Sequence, residues 1–406
     1  MYRYLRILMI VLFFSLILTG MSISQAYART DKESAADGTL DAFLGEPQLQ
    51  LNKIFDGERF PNVVVTTNGT VLATWGKQCF WVRRSENGGE SFSEKIRVAK
   101  PGFQGGGLLV DQIRGDILAF VQDEHPPAPS YIYRSTDQGK SWEKEDLVIE
   151  KDINGNVPSM HMAEHGITLT FGGHKGRLLR AARVYGKEDK RYSTAIYSDD
   201  GGKNWYPSEP YPLKGTGEGA VCELSNGKIY YSSRKSWFND VSEFRHQRAF
   251  GWSLDDGETW QNVEFDSELP DGPRYRGEER RGPNYNGHFG MMCGLVRIAV
   301  KHRDILIYSN ADSHTHQRRR LTVWASFDGG KTWPVKNLVY EGPSAYSSLS
   351  AGRPGTPSEG WIYLQFEGGE EHKYEGGYFA RFNLSWILQG ERTGDGELPA
   401  WIRSDP

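Results

Sequence analysis

The chain has 406 residues, which is enough for one large domain, and carries 52 Asp and Glu against 48 Lys and Arg. Its net charge of −4 offers no electrostatic basis for binding nucleic acid. Three cysteines (Cys79, Cys222 and Cys293) are too few and odd in number for a disulfide framework. Each lies in an apolar or strand-like run, so we expect buried free thiols.

The first 28 residues have the pattern of a secretory signal peptide. Basic residues precede an apolar run from Ile7 to Leu18, and Ala26-Tyr27-Ala28 forms a small-residue cleavage site. The apolar run is short for a membrane span, and no later run replaces it. We therefore expect a secreted or periplasmic protein with no membrane span. Residues 29–45 are predicted to be a disordered leader and residues 394–406 a C-terminal tail.

An eight-residue turn signature recurs five times along the chain. Its third residue, Asp or Asn, can accept backbone N–H groups, glycine supplies a positive φ, and the closing aromatic residue packs on the sheet. The copies are SENGGESF (85–92), STDQGKSW (135–142), SDDGGKNW (198–205), SLDDGETW (253–260) and SFDGGKTW (326–333). Each copy follows a strand-like run, so the signatures are predicted to be hairpin staples without a catalytic role.

This spacing predicts an all-β fold, a six-bladed β-propeller of four-stranded antiparallel sheets over residues 46–393. The five signatures mark five blades. The sixth blade is predicted to combine residues 345–350, 361–366 and 378–388 with a strand near residues 48–55.

Three hairpins place polar side chains at their open ends, away from the turns. Glu218 and Arg234, for example, lie at equal distances from a turn at Ser225-Asn226-Gly227. Arg59 precedes the turn at Asn68-Gly69, and the last pair is Tyr346 and Glu367. Because corresponding hairpin ends of a propeller lie on one face around the axis, we expect these groups to meet in a single pocket.

The repeated signature resembles the Asp box of sialidases, and the resemblance extends from about Phe55 to Leu388. It implies a triad of arginines that binds a carboxylate. Arg59, in Arg59-Phe60-Pro61, is similar to the first arginine and Arg234 to the second. Arg318 best matches the third because it stands three residues before a leucine, although Arg319 and Arg320 are close enough to remain alternatives.

The same resemblance implies that Tyr346 is the nucleophile, Glu218 its base, and Glu367 the carboxylate that steadies Arg59. Three guanidinium groups suit the carboxylate on the anomeric carbon of a sialic acid. A neutral phenol approaches that anionic substrate without the repulsion a carboxylate nucleophile would meet, and sialidases are an exception to the usual pair of carboxylates. The base is needed because the pKa of free phenol is near 10, and neighbouring arginines are expected to favour the phenolate.

The match fails at the proton donor. Sialidases carry an acid/base aspartate between the Arg-x-Pro strand and the first Asp box, but residues 74–89 contain no Asp. Asp123, at the open end of the second blade, is predicted to replace it, with His165 and Glu124 as alternatives. His165 lies with Arg183 at a third open end and is also predicted to bind substrate.

The resemblance implies an exo-glycosidase that releases a terminal sialic acid or related acidic sugar with net retention, as a monomer without metal or cofactor. Two alternatives remain open. One is a hydrolase or lyase acting on polysaccharides that contain uronic acid, with a histidine such as His165 as the acid/base. The other is a non-catalytic glycan-binding homologue. The short first-blade segment favours these alternatives, whereas the pairing of Tyr346 with Glu218 favours the glycosidase.

Overall fold

The computed structural model describes residues 37–185, 191–235, 247–272, 290–314 and 317–389. The predicted signal peptide, the first part of the leader and the C-terminal tail lie outside these residues. Within them, no helix is both long and apolar enough to cross a bilayer. The only helical elements in these ranges are a 3-10 turn, Leu40–Phe43, and a short α-helix, α1 (Leu384–Ile387). The predicted all-β fold is confirmed.

Twenty-four strands cover the described residues, and their order in each sheet follows the chain closely. The first sheet contains β2 (Asn62–Val65), β3 (Val71–Trp75), β4 (Phe80–Ser85) and β5 (Ile96–Ala99). The second contains β6 (Phe103–Val110), β7 (Ile117–Gln122), β8 (Ser130–Ser135) and β9 (Glu143–Asp146). The third contains β10 (Val148–Ile149), β11 (Ile167–Thr168), β12 (Leu178–Val184), β13 (Tyr192–Ser198) and β14 (Asn204–Pro207).

The remaining strands form two further sheets. The fourth contains β15 (Thr216–Glu223), β16 (Ile229–Lys235), β17 (Gln247–Ser253) and β18 (Gln261–Pro270). The fifth has seven strands in the order β19-β20-β21-β22-β23-β24-β1. Its strands are β1 (Leu49–Asp56), β19 (Gly294–Arg297), β20 (Leu306–Ala311), β21 (Arg319–Ser326), β22 (Val335–Ala351), β23 (Ile362–Gly368) and β24 (Gly376–Phe382). Neighbours pair antiparallel except β10 with β14, which pair in parallel.

The hydrogen bonding therefore gives five sheets rather than the six separate four-stranded sheets predicted. The difference arises at β22, a strand of 17 residues. Its first part pairs with β21 and its last part with β23, so it runs through two four-stranded units without a break. The strand predicted near residues 48–55 is confirmed, because β1 pairs with β24 and completes the last of these units.

The strands form a propeller because one strand of each unit packs against its counterparts in the neighbouring units. β2 contacts β6, β6 contacts β11, and the contacts continue through β15 and β19 to β22, which returns to β2. The apolar core lies between successive sheets. One such cluster, between the fourth and fifth sheets, buries Cys222 and Cys293, and all three cysteines are buried free thiols as predicted.

The turn signatures adopt the chemistry expected of them. In the second copy, Gly139 N donates to Ser135 Oγ at 2.8 Å, and Asp137 Oδ1 accepts from the N–H groups of Lys140 and Ser141 at 3.0 and 2.9 Å. Partial burial acts to raise the pKa of Asp137, but the hydrogen bonds from Ser141 and its neighbours hold that pKa at about 2.

The glycines of these signatures also bring successive sheets into contact. A Cβ added at Gly202 would lie 2.5 Å from Leu118 Cδ2 of the preceding sheet, and one at Gly257 would lie 2.6 Å from Leu179 Cδ1. Both glycines have φ near +90°, at +88° and +90°. Each signature is therefore a turn within its own sheet and a contact with the sheet before it, which explains why glycine is required there.

Part of the predicted leader is ordered, which corrects the expectation of disorder for residues 37–45. Phe43 is 2% exposed and belongs to the core cluster that includes Leu384 and Ile387. Asp37 accepts from Arg297 Nη2 at 2.6 Å. The apolar side chain and this ion pair hold the segment against the propeller.

Candidate active site

Most of the residues predicted to form a pocket meet in one cavity of about 620 Å³. Each of the five sheets contributes a side chain, either from a strand or from the residues next to it. Five of the predicted residues line the cavity: Arg59, Glu218, Arg234, Arg318 and Tyr346. Glu367 does not line the cavity but is hydrogen-bonded to Arg59, which does.

Glu218, Arg234 and Tyr346 form a buried hydrogen-bonded triangle. The β15–β16 register pairs Gly219 with Ser233, which brings Glu218 and Arg234 together at the open end of the hairpin. Arg234 Nη1 donates to Glu218 Oε2 at 2.5 Å and to the Tyr346 hydroxyl at 3.0 Å. The Tyr346 hydroxyl donates to Glu218 Oε1 at 2.7 Å. The exposed fractions of the three residues are 3%, 4% and 7%, so water does not screen these contacts.

The proton that Glu218 and Tyr346 share in this triangle belongs to Tyr346. Burial alone would raise the pKa of Glu218, but the charges of Arg234 and Arg183 outweigh it and hold that pKa at about 2. Burial and the Glu218 carboxylate raise the pKa of Tyr346 above its usual value, although Arg234, Arg318 and Arg59 act to lower it. The arginines therefore favour the phenolate as expected, but burial and Glu218 outweigh them and keep the phenol protonated.

Glu367 fixes the first arginine and the backbone of the tyrosine together. Arg59 donates to it through Nε at 2.9 Å and through Nη2 at 3.1 Å, a bidentate pair. The backbone N–H groups of Phe60 and Tyr346 also donate to Glu367, each at 3.2 Å. Burial acts to lower the pKa of Arg59, but the Glu367 carboxylate raises that pKa by more than burial lowers it. The guanidinium therefore stays protonated.

Arg318 is the member of the 318–320 arginine run that reaches the cavity. Its Nη2 donates to the Gly290 carbonyl at 2.7 Å, and its Cζ lies 5.5 Å from the centre of the Tyr346 ring. Arg319 and Arg320 pair instead with Glu341. Alternation of side chains along the strand accounts for Arg319, which points to the opposite face from Arg318. It does not account for Arg320, whose positive φ of 61° interrupts the regular strand.

Two residues of the site carried no signal that the motif reasoning used. Tyr374, in the β23–β24 connection, packs its ring 3.9 Å from Arg59 Cζ, and its hydroxyl lies 3.5 Å from Arg318 Nη1. Arg183, on β12, places Nη1 3.8 Å from Glu218 Oε1 and donates to the Tyr185 hydroxyl. Arg183 was found only as the end of a strand, and Tyr374 occupies no repeated position.

A buried arginine supports the triangle from behind. Arg248 is fully buried and donates to Asp271 Oδ1 at 2.9 Å and to the Glu218 carbonyl at 3.3 Å. Asp271 Oδ2 accepts from the N–H of Lys235, next to Arg234, at 2.7 Å. The pair therefore orients the backbone beside both Glu218 and Arg234.

The structure does not bring Asp123, Glu124 or His165 into the cavity. Asp123 is half-buried in the β7–β8 connection, where its N–H donates to the Pro129 carbonyl at 3.2 Å. Neither Asp123 nor Glu124 lines the cavity, whereas the next residue, His125, does.

His165 is buried beside Glu164, with Nδ1 2.8 Å from Glu164 Oε1. The prediction placed His165 with Arg183 at the open end of a hairpin, but residues 159–166 do not continue as a strand of that hairpin. They form a loop instead, in which Ser159 bridges to Arg183 and the N–H of Glu164 donates to the Gly219 carbonyl. Arg183 consequently reaches the cavity without His165.

The fold and the site define a β-propeller with Asp-box turns and a guanidinium-lined pocket that holds a tyrosine–glutamate pair. Among the residues with described positions, no group of three or more His, Cys, Asp or Glu side chains could hold a metal ion.

The comparisons with known proteins place this architecture in a family. The BNR repeat-like domain family matches residues 76–357, more than half of the chain. A sialidase of Micromonospora viridifaciens is 28% identical over 367 residues, which cover 82% of this chain and 52% of the relative. The chain belongs to the BNR repeat-like domain family, and the predicted relationship to sialidases is confirmed. It spans about half the length of that curated relative.

Solved structures support the fold. A Hadza microbial sialidase matches with a TM-score of 0.61 and 21% identity, covering 82% of this chain and 66% of the other. An intramolecular trans-sialidase from Ruminococcus gnavus, in complex with oseltamivir carboxylate, matches with a TM-score of 0.61 and 14% identity, covering 85% and 96%. At these identities the likeness concerns the propeller fold alone.

Proposed function

We propose that the protein is a retaining exo-sialidase that releases a terminal sialic acid or a closely related acidic sugar. The observation that carries this proposal is the 2.7 Å hydrogen bond from the Tyr346 hydroxyl to Glu218 inside the arginine-lined cavity. A module that only bound glycans would need the arginines but not a buried phenol held against a carboxylate. The sialidase names of the relatives agree with the proposal.

Substrate binding supplies the missing activation of the phenol. The sugar carboxylate binds Arg59, Arg234 and Arg318, which together form a planar, partly bidentate site for an anion. Arg234 is the largest charge that lowers the pKa of Glu218. When the substrate carboxylate shares this guanidinium, the pKa of Glu218 rises, and the carboxylate becomes a stronger base for the Tyr346 proton.

The first chemical step forms a bond from the Tyr346 oxygen to the anomeric carbon. The phenolic proton moves to Glu218 Oε1, the glycosidic C–O bond breaks, and its electron pair leaves with the aglycone oxygen, which takes up a proton. In the second step water attacks the anomeric carbon, and the bond from that carbon to the Tyr346 oxygen breaks with its electron pair going to the phenolic oxygen. That oxygen recovers its proton from Glu218, and the group that protonated the aglycone accepts a proton from the water. Two displacements at one carbon return the original configuration.

The test combines turnover with covalent trapping. The native protein is expected to hydrolyse an aryl α-sialoside and to release the α-anomer first, as followed by proton NMR. A 2,3-difluorinated sialic acid is expected to leave an adduct on Tyr346 that mass spectrometry of peptides locates. Tyr346→Phe should lose both activities.

Tyr363→Phe is the matched control, since its buried hydroxyl contacts the Gly88 carbonyl at 3.2 Å and does not line the cavity. It should retain both turnover and trapping. Turnover by Tyr346→Phe at the native rate, or initial release of the β-anomer, would contradict the proposal.

We further propose that the protein acts outside the cytoplasm, on the basis of the signal-peptide pattern in residues 1–28. The mature chain is then expected to begin at Arg29. N-terminal sequencing of protein recovered from the secreted or periplasmic fraction tests this, and a mature chain that starts at Met1 contradicts it.

A further inference from the structure

Among the residues that the structure describes, the cavity has no carboxylic acid placed to protonate the leaving group. Among the described residues that line it, the only acidic side chain is Glu218, which is ionised with a pKa of about 2 and bound by arginines. A natural sugar aglycone is a poor leaving group, so its oxygen must be protonated as the bond breaks. Some other cavity residue must therefore supply this proton.

We propose that His125 is the general acid and base of the reaction, in place of the carboxylic acid that the sequence led us to expect. The inference rests on the proposed sialidase function and names a residue of the same site. His125 lies in the β7–β8 connection and lines the cavity that also holds Tyr346 and Glu218.

The surroundings of His125 leave one ring nitrogen for this role. Its Nδ1 lies 2.9 Å from the Pro126 carbonyl oxygen, a contact in which Nδ1 donates. The second proton of an imidazolium is then carried by Nε2. The ring packs among His161, Phe103 and Tyr185, at centroid distances of 4.8, 6.0 and 5.7 Å. This aromatic wall orients the imidazole without providing a carboxylate that would keep its proton.

The other titratable groups on this wall are poor proton donors. Burial, together with the charge of Arg183 and the nearby His125, holds the pKa of His161 well below its ordinary value, so this ring is neutral. Its Nδ1 is also occupied by the Gln104 carbonyl, at 3.2 Å. Burial raises the pKa of Tyr185 far above its ordinary value, which makes it a weak acid.

Two other charges of the same cavity also suit transfer of the His125 proton. Arg183 and Arg191 both line the cavity, and Arg183 Cζ lies 4.4 Å from the centre of the Tyr185 ring, which packs against His125. Loss of the imidazolium proton removes one positive charge from a cavity wall that already carries these two guanidinium groups.

The steps balance. In the first displacement the Nε2–H bond of His125 breaks, the proton passes to the glycosidic oxygen, and the C–O bonding pair goes to that oxygen. In the second, neutral Nε2 takes a proton from the attacking water as the new C–O bond forms, and the bond from the anomeric carbon to the Tyr346 oxygen breaks. Its electron pair goes to the phenolic oxygen, which recovers its proton from Glu218. His125 ends as it began, and no other reactant is needed.

The experiment compares two substrates that differ in how much they need an acid. An aryl sialoside with an activated phenol as leaving group needs little protonation, whereas 3′-sialyllactose needs it fully. For His125→Gln, kcat/KM on sialyllactose is expected to fall by about 10² to 10⁴, the usual range for general acid catalysis, and to fall by about tenfold or less on the aryl substrate.

His302→Gln is the matched control, because His302 is an exposed histidine that does not line the cavity. Thermal unfolding of both variants separates a catalytic effect from a loss of structure. For His125→Gly, added imidazole is expected to restore part of the activity on sialyllactose.

The outcomes separate the two proposals. Equal losses of His125→Gln on both substrates, or retained activity on sialyllactose, would overturn the role of His125 while leaving the sialidase proposal intact. A selective loss on sialyllactose in Asp123→Asn, with His125→Gln unaffected, would return the role to the residue predicted from the sequence. If the native protein neither hydrolyses the aryl sialoside nor forms the Tyr346 adduct, the sialidase proposal fails and the role of His125 fails with it.

Discussion

Replacing Glu218 by Gln tests whether this carboxylate both supports the fold and activates Tyr346. The substitution keeps the size of the side chain but removes the charge that compensates Arg234, at 2.5 Å, and Arg183, at 3.8 Å. Gln can still accept a hydrogen bond, but it cannot take the phenolic proton. We therefore expect a loss of stability together with a much larger relative loss of turnover.

The size of the stability loss follows from the pKa. The pKa of Glu218 falls from its ordinary value of 4.5 to about 2 in the folded protein. At 1.36 kcal/mol for each pKa unit, the folded state gains ~3 kcal/mol from ionised Glu218 at neutral pH. This agrees with the cost of about 3–5 kcal/mol for removing one partner of a buried ion pair. Loss of the base should lower kcat by about 10² to 10⁴.

The assay measures urea unfolding and turnover of an aryl sialoside on the same preparations. Glu223→Gln is the matched control, because Glu223 lies on the same strand at its turn end, away from the cavity. It accepts the N–H groups of Thr170, Phe171 and Gly172 at 2.6, 2.9 and 2.9 Å. It should lose stability but keep kcat. If Glu218→Gln retains kcat within a few-fold, or if both variants lose it equally, the assignment of Glu218 as the base is refuted.

Three further predictions concern the pH dependence of stability, the third arginine of the cavity and the contact between neighbouring sheets. Because folding lowers the pKa of Glu218, the ionised carboxylate stabilises the folded state fully above pH 4.5, and this stabilisation disappears as the pH falls through about 2. The unfolding free energies of native protein and Glu218→Gln should therefore converge over that interval. A difference that stays constant with pH contradicts the ion pairing. Arg318→Lys should raise KM tenfold or more, because losing a charge-assisted hydrogen bond to the substrate costs about 1.5–3 kcal/mol. Arg320→Lys is the control and should leave KM unchanged. Equal effects of the two substitutions would place the third arginine elsewhere. Gly202→Ala should lower the unfolding free energy measured by calorimetry by about 1–3 kcal/mol without changing kcat. The added Cβ would lie 2.5 Å from Leu118, and the residue would keep a φ of +88° that alanine rarely adopts. A variant as stable as the native protein would show that this contact between sheets is unimportant.

The hairpins were predictable because local rules determine them. Side chains alternate between the two faces of a strand, and an Asn-Gly turn sets the register of the hairpin. The equal distances of Glu218 and Arg234 from the turn were therefore enough to predict that they pair. The turn signatures were equally legible, since Asp137 and its equivalents bond only to residues within the same eight-residue unit. The continuous course of β22 through two units was not predictable, because nothing local marks where a strand changes partners.

The proton donor shows where this reasoning fails. Asp123 and His125 are two residues apart at the end of one strand, and a small difference in the course of the connection decides which of them faces the cavity. His165 was placed with Arg183 at the open end of a hairpin, but residues 159–166 form a loop, and a register applies only while the ladder is intact.

The sequence by itself determined the class of fold, the repeated turns and the identity of the residues that converge from different sheets, because periodicity and turn chemistry act over a few neighbouring residues. Only the tertiary structure decided the charge state of the site and its supporting contacts. The pKa of Glu218, the stacking of Tyr374 on Arg59 and the anchoring by Arg248 all depend on groups distant in the chain that are brought within a few ångströms. At such distances, and away from water, the interactions are strong enough to decide which residue holds a proton.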